Sequence, residues 1–175
     1  GGNIQNAAIA EGRVAINLGS EDYYEAKDGT IFFPDQAYSK GRYGYVGSNR
    51  TVVRLIDDIE ATDDPLLFKT ERWNLESYRI DLPPGSYKIR TYQKIGYEPN
   101  QQLGKVQIGL RGENQELAPT EDLFELLDRN GEQVLIRDYG PILLKDGTLD
   151  LELTRSPKTD PSVPFLNAIK IPPTE

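Results

Sequence analysis

The sequence predicts an all-β domain, a jelly-roll-like β-sandwich of two antiparallel sheets with about nine or ten strands. Apolar and polar residues alternate in short runs along the chain, and clusters of Gly, Pro, Asn and Asp separate these runs. No helical period of comparable clarity lies between them. With 175 residues, one core suffices to bury about 70% of the unfolded surface.

The strands follow in order. Val14, Ile16 and Leu18 alternate first; Tyr78, Ile80 and Leu82 alternate next and stop at Pro83-Pro84-Gly85, after which Tyr87, Ile89 and Thr91 resume the pattern. This arrangement predicts a hairpin. Val106, Ile108 and Leu110 form a strand ending at Arg111-Gly112, and Leu149, Leu151 and Leu153 form one that opens after Asp146-Gly147. A last strand runs through Phe165, Asn167, Ile169 and Ile171. Shorter candidates are Thr30 to Phe33, Leu67 to Trp73, Leu123 to Leu127 and Gln133 to Arg137, the third being the one that also suits a helical turn. Residues 12–172 are expected to form the domain, with 1–11 a junction or leader and 173–175 a tail. Long connections are expected at 36–49, 57–65, 96–104 and 156–164.

Composition excludes several kinds of function. Lys plus Arg number 20 against 28 acids, and this field repels phosphate backbones and anionic lipid, so neither nucleic acid nor a membrane surface is an expected partner. No apolar run approaches the ~20 residues of a membrane span. His and Cys are absent, which removes the commonest general base, the commonest zinc ligands and any thiolate nucleophile. Met is absent too, and the chain reads as a piece of a longer protein.

Candidate functional residues lie in the long connections. Gly41-Arg42-Tyr43-Gly44-Tyr45-Val46-Gly47 carries two tyrosines among glycines that leave the rings little covered. A sugar offers an apolar C–H face and a rim of hydroxyls, so an aromatic ring beside fixed hydrogen-bonding groups suits it. Tyr43 and Tyr45 taken singly fit packing against the sandwich edge equally well. Trp73 sits in Phe68-Lys69-Thr70-Glu71-Arg72-Trp73-Asn74; a lone Trp suits a core anchor, its charged neighbours suit partial exposure, and Glu71 and Arg72 equally suit a structural ion pair beneath it. Tyr97 stands in a loop rich in amides, and Asp160 in Thr159-Asp160-Pro161-Ser162, where an Asp also starts turns. The acid pairs Asp57-Asp58 and Asp63-Asp64 are what glycoside hydrolysis would need, although adjacent loop acids are usually just solvated. No cofactor is expected. Oxygen-rich loops leave a structural calcium ion open, but no spaced acidic calcium loop is present.

Val14-Ala15-Ile16-Asn17-Leu18-Gly19, Thr70-Glu71-Arg72-Trp73-Asn74, Tyr78-Arg79-Ile80-Asp81-Leu82-Pro83 and Gly85-Ser86-Tyr87 together resemble malectin and the malectin-like modules of bacterial glycosidases. The resemblance continues through Asp122-Leu123-Phe124 and Asp128-Arg129-Asn130-Gly131 to Asn167-Ala168-Ile169-Lys170-Ile171 and so covers nearly the whole chain. It implies a sugar site of loop aromatics and one aspartate. Trp73 takes the aromatic place after Thr-Glu-Arg, Tyr45 matches the aromatic of the glycine-rich loop with Tyr43 as its competitor, Tyr97 matches one member of an aromatic pair whose other member is Gly96, and Asp160 takes the acidic place before the last strand. The implied activity is non-catalytic binding of a polysaccharide or oligosaccharide, outside the cell or in the periplasm, as the accessory domain of a larger glycoside-active protein. A structural or adhesion module that contacts other domains of its parent is the alternative, and a hydrolase built on the acid pairs ranks last.

Overall fold

The computed structural model describes residues 2–48, 50–53, 59–94, 107–130, 134–155 and 164–173. Among these residues fourteen strands and two α-helices, besides a short 3-10 helix at Pro65–Phe68, run in the order α1 (Gly2–Ala10), β1 (Val14–Asn17), β2 (Tyr24–Glu25), β3 (Ile31–Pro34), β4 (Tyr43–Val46), β5 (Arg50–Val53), β6 (Thr70–Trp73), β7 (Ser77–Asp81), β8 (Gly85–Gln93), β9 (Gln107–Gly112), β10 (Gln115–Asp122), α2 (Leu123–Asn130), β11 (Leu135–Leu144), β12 (Thr148–Arg155), β13 (Phe165–Leu166) and β14 (Ala168–Ile171). A six-stranded sheet in the order β11-β8-β14-β1-β3-β2 faces a five-stranded sheet in the order β10-β9-β12-β7-β4, and a small sheet β13-β6-β5 closes one end. This is the expected β-sandwich. Pairing is antiparallel except where Ile16 and Asn17 of β1 run parallel to Phe33 and Pro34 of β3.

The alternating residues fill the core. Ile16, Ile89 and Ile169 from the larger sheet meet Tyr78, Ile80, Leu149 and Leu151 from the smaller one, and burying each such side chain is worth about 1.5–3 kcal/mol. A second cluster, with Phe32, Leu67, Phe68, Tyr92 and Ala168, lies apart from this one. Phe32 and Tyr92 alternate with the core residues Phe33 and Thr91 along their strands and point to the opposite face of the larger sheet.

Several local expectations are corrected. Strands β7 and β8 do not form a hairpin: β7 pairs with β4 and β12, whereas β8 pairs with β11 and β14. The Leu82 to Pro84 connection crosses between sheets. Two consecutive prolines fix their own φ and exclude the positive-φ two-residue turn of a tight hairpin, and both strands still present alternate residues to one shared core. The tight hairpin lies instead at Glu113-Asn114, with φ of 49° and 63°, where Gly112 pairs with Gln115 of β10. That strand carries Pro119 and two register irregularities, as suits its place at a sheet edge. Leu123 to Leu127 is helical rather than extended, burying Leu123 and Leu127 one turn apart. Tyr43–Val46 is a strand inside the expected 36–49 connection. Residues 2–10 form helix α1, and Ala8 and Ile9 pack on the core.

Candidate functional site

Strand β4 sets the first ring. Tyr43 and Tyr45 are two residues apart and therefore share a strand face, the one turned into the sandwich. Tyr43 sits deeper: it is fully buried, stacks on Phe33 with ring centroids 6.1 Å apart, and donates its hydroxyl to the Pro34 carbonyl at 2.7 Å. Burial pushes its phenol well above the usual tyrosine range and keeps it a donor. Tyr43 is thus a core side chain with no free face, which corrects its inclusion among the candidate sugar contacts. Tyr45, nearer the end of the strand, is only half-buried.

Tyr45 is fixed on both backbone edges. Across β7 it lies opposite Tyr78, and on the other side its N–H donates to the Gln36 carbonyl at 3.0 Å while its carbonyl accepts the Tyr38 N–H at 3.1 Å. Gly44 makes this second contact feasible, because a Cβ there would stand 2.2 Å from the Tyr38 nitrogen. The glycine serves close approach of two chain segments rather than a mobile loop.

Below Tyr45 lies a buried polar network that the sequence reading missed. The Arg72 guanidinium stacks 3.7 Å from the Tyr45 ring centre, and its Nε donates to Asp35 Oδ2 at 2.9 Å. Asp35 also accepts the Gly19 N–H at 2.8 Å, the Gln36 N–H at 2.9 Å and the Tyr78 hydroxyl at 2.8 Å. Its side chain is 2% exposed and that of Arg72 9%, so this is a buried ion pair whose carboxylate is fully hydrogen-bonded. Burial, then the neighbouring Asp35 charge, pushes the Tyr78 phenol far up, so it donates at every ordinary pH. Of the alternatives left open for Arg72, a pair with Glu71 gives way to this one, since adjacent residues of a strand point to opposite faces. Nothing in Phe33-Pro34-Asp35 signals the role of Asp35, which depends on strands distant in sequence.

Trp73 ends β6, opposite Phe165 on one side and Arg50 on the other. It is half-buried against the core, with the Arg50 guanidinium 4.6 Å above its ring centre. The Ser48 hydroxyl donates to the Trp73 carbonyl at 2.8 Å, tying the end of the β4 region to β6. Tyr45, near the end of β4, and Trp73, at the end of β6, are thereby brought to one end of the sandwich, and each ring carries a guanidinium on one face. Asn167 anchors this end from beneath: its Oδ1 accepts the Lys94 N–H at 2.8 Å, and its Nδ2 donates to the Thr70 carbonyl at 2.9 Å. Tyr97 and Asp160 lie outside the described residues, as does the pair Asp57-Asp58.

The other acid pair is engaged structurally. Asp64 Oδ1 accepts the Tyr24 hydroxyl and the Lys27 N–H, each at 2.8 Å, and Asp63 lies 3.7 Å from the Lys27 ammonium. Burial and then Asp64 push the Tyr24 phenol up to about 12. Among the described residues there is no group of three or more acidic side chains placed to hold a metal ion, and no helix long and apolar enough to cross a membrane.

The malectin-domain family model matches residues 13–172 of this chain. The chain belongs to the malectin family. Malectin domains are of carbohydrate-binding type and are not catalytic. In solved structures the malectin fold of this chain is similar to part of a Bacteroides uniformis β-glucuronidase, with 23% identity and a TM-score of 0.75 over 93% of this chain and 18% of that one. It is similar to the ANXUR1 extracellular domain from Arabidopsis thaliana, with 14% identity and a TM-score of 0.74 over 91% of this chain and 41% of that one. It is also similar to the plant receptor-like kinase FER, with 17% identity and a TM-score of 0.73 over 93% and 42% of the two chains. The chain spans less than half the length of each, and at these identities the likeness is one of fold. No curated protein matches it.

Proposed function

We propose that this malectin domain is a non-catalytic carbohydrate-binding module that holds a polysaccharide or oligosaccharide at the rim carrying Tyr45 and Trp73. The observation that supports the reading is that these two half-buried rings, 28 residues apart in number, come from strand ends tied together by the Ser48–Trp73 hydrogen bond, each ring lying against a guanidinium. Each ring offers an apolar plane to sugar C–H bonds, and the Arg50 guanidinium beside Trp73 donates to hydroxyls. Tyr97 and Asp160 complete the proposed site as orienting hydrogen-bond partners. Exposed exchange of water for protein hydrogen bonds yields little net energy, so dissociation constants of roughly 1 μM to 1 mM are expected. Placement outside the cell or in the periplasm, within a glycoside-active parent, completes the reading; tethering there raises the effective substrate concentration and offsets weak affinity.

The test is titration of the domain and of Trp73→Ala against algal, plant and microbial polysaccharides, with circular dichroism as a control for folding. The intact domain should bind at least one polysaccharide and Trp73→Ala should lose about tenfold or more in affinity, or about 1.4 kcal/mol. If the folded domain binds none of them, the reading gives way to a structural or adhesion module, a role in keeping with the likeness of this fold to the ANXUR1 extracellular domain.

A further inference from the structure

The two rings of the proposed rim are joined by a short run of chain, Tyr45-Val46-Gly47-Ser48, whose last residue donates its hydroxyl to the Trp73 carbonyl at 2.8 Å. One side chain from outside the run lies against it. Register sets Tyr45 opposite Tyr78 and Val46 opposite Ser77, so the next positions bring Gly47 against Glu76. A Cβ on Gly47 would stand 2.3 Å from Glu76 Oε2, 2.5 Å from its Cδ and 2.7 Å from its Cγ. Only a residue without a side chain leaves the carboxylate its place, and the φ of 70° at Gly47 favours glycine as well.

Glu76 follows the parity of Tyr78 and Ile80, which turn into the core, and so shares the face on which Tyr45 lies. At the end of the sandwich that face reaches solvent, and Glu76 is exposed. Its backbone is fixed: the carbonyl accepts the Leu153 N–H at 2.9 Å, Leu75 before it is fully buried, and Ser77 after it pairs with Val46 and Glu152. Among the described residues no hydrogen bond or ion pair engages the carboxylate. An exposed glutamate is usually just solvated. This one differs in its place: it rests against the segment that joins the two rings, open to a ligand and unused by the fold.

The atoms select the ligand chemistry. An ionised carboxylate accepts hydrogen bonds and donates none, and it presents two oxygens side by side. Arg50, stacked on Trp73, donates and accepts none. A sugar with adjacent free hydroxyls meets both demands, because each hydroxyl gives one hydrogen bond and takes another. A sugar carboxylate or sulfate satisfies only the arginine and is repelled by Glu76. We propose that Glu76 is a specificity-determining residue of the rim: it accepts from two neighbouring hydroxyls of the sugar seated against Tyr45 and thereby favours neutral units over acidic ones. The proposal rests on the rim as the binding site and adds to it the class of sugar held.

The test is an NMR titration of the ¹⁵N-labelled chain with cellotriose, xylotriose, mannotriose, maltotriose and laminaritriose, and separately with trigalacturonate. Trp73 is the sole tryptophan, so its indole N–H reports on the rim without overlap. At least one neutral trisaccharide should shift that signal together with the Gly47 and Glu76 amides, and trigalacturonate should bind about tenfold more weakly or not at all. Glu76→Gln keeps the size of the side chain; it should weaken the neutral sugar about tenfold and narrow the gap to trigalacturonate, a change of preference that a merely structural role would not produce. Glu76→Ala takes its place if circular dichroism shows that it fails to fold. Two results overturn the proposal and leave the rim standing: a Trp73 shift by trigalacturonate as strong as by any neutral sugar, or full affinity and unchanged preference in the folded Glu76 variants. If no trisaccharide moves the Trp73 signal, the rim reading itself falls, and the proposal falls with it.

Discussion

Two arginine–carboxylate pairs of this domain look alike in their contacts and differ in what they do. Arg90 reaches Asp138 through two bonds of 2.7 and 3.0 Å on the outside of the larger sheet, with side chains 34% and 53% exposed. Arg72 reaches Asp35 through one bond of 2.9 Å, with almost no exposure. The surface pair has the better fork geometry, yet water and salt compete for both partners and leave such pairs worth about 0–1 kcal/mol. The buried pair adds little over an apolar equivalent, but neither member can be removed without stranding the other. It is also the support on which Tyr45 lies, so only this pair links core stability to the candidate binding rim.

The largest expected effect that would break this comparison comes from Asp35→Ala. It leaves the Arg72 guanidinium, two backbone N–H groups and the Tyr78 hydroxyl without their acceptor, at about 1–3 kcal/mol for each neutral donor and more for the cation. A loss of about 5 kcal/mol or more is expected in urea denaturation, and a loss below about 2 kcal/mol would show that water reaches this site. Arg72→Met comes next, at about 3 kcal/mol from an uncompensated buried carboxylate. Polysaccharide affinity should fall in the same variant as Tyr45 loses the plane beneath it, and unchanged affinity would uncouple rim from network.

The surface carboxylates sharpen the contrast through pH. The hydrogen bond from the Thr30 backbone N–H, followed by that from the Thr30 side chain, holds Asp28 down to about 2, and Arg90 lowers Asp138. A carboxyl whose folded pKa is depressed stabilises the fold above its unfolded value of about 3.9 and loses that contribution as pH falls toward the folded one. Unfolding free energies of Asp28→Asn should therefore decline less steeply than those of the parent between pH ~4 and ~2. Parallel curves would count against the Thr30 contact. Asp138→Asn at neutral pH has the smallest effect, below about 1 kcal/mol in thermal or urea unfolding.

What was legible in the sequence follows from what alternation encodes. Tyr78, Ile80, Leu149, Leu151 and Ile169 announce their buried face because period-two patterning is local. The partner of a strand is not local, which is why Pro83-Pro84 reads as the turn of a hairpin when it joins two sheets. Tyr43 and Tyr45 are equivalent in sequence, and only depth within the sandwich separates a core ring from a rim ring. Trp73 was visible as a polar-flanked aromatic at a strand end. Asp35 and Arg50 were not, since each acquires its role from strands brought together by folding.

One feature of the fold bears on how such a rim would behave under use. Residues 165–171 leave one sheet and enter another within a single stretch of chain, with the side chain of Asn167 pinned at the crossing. Phe165 beside Trp73 and Ile169 at the heart of the sandwich are thus separated by only a few peptide bonds. The proposed recognition edge is consequently continuous with the interior rather than hinged on it, so a tug on a bound polymer would be passed straight into the central strands.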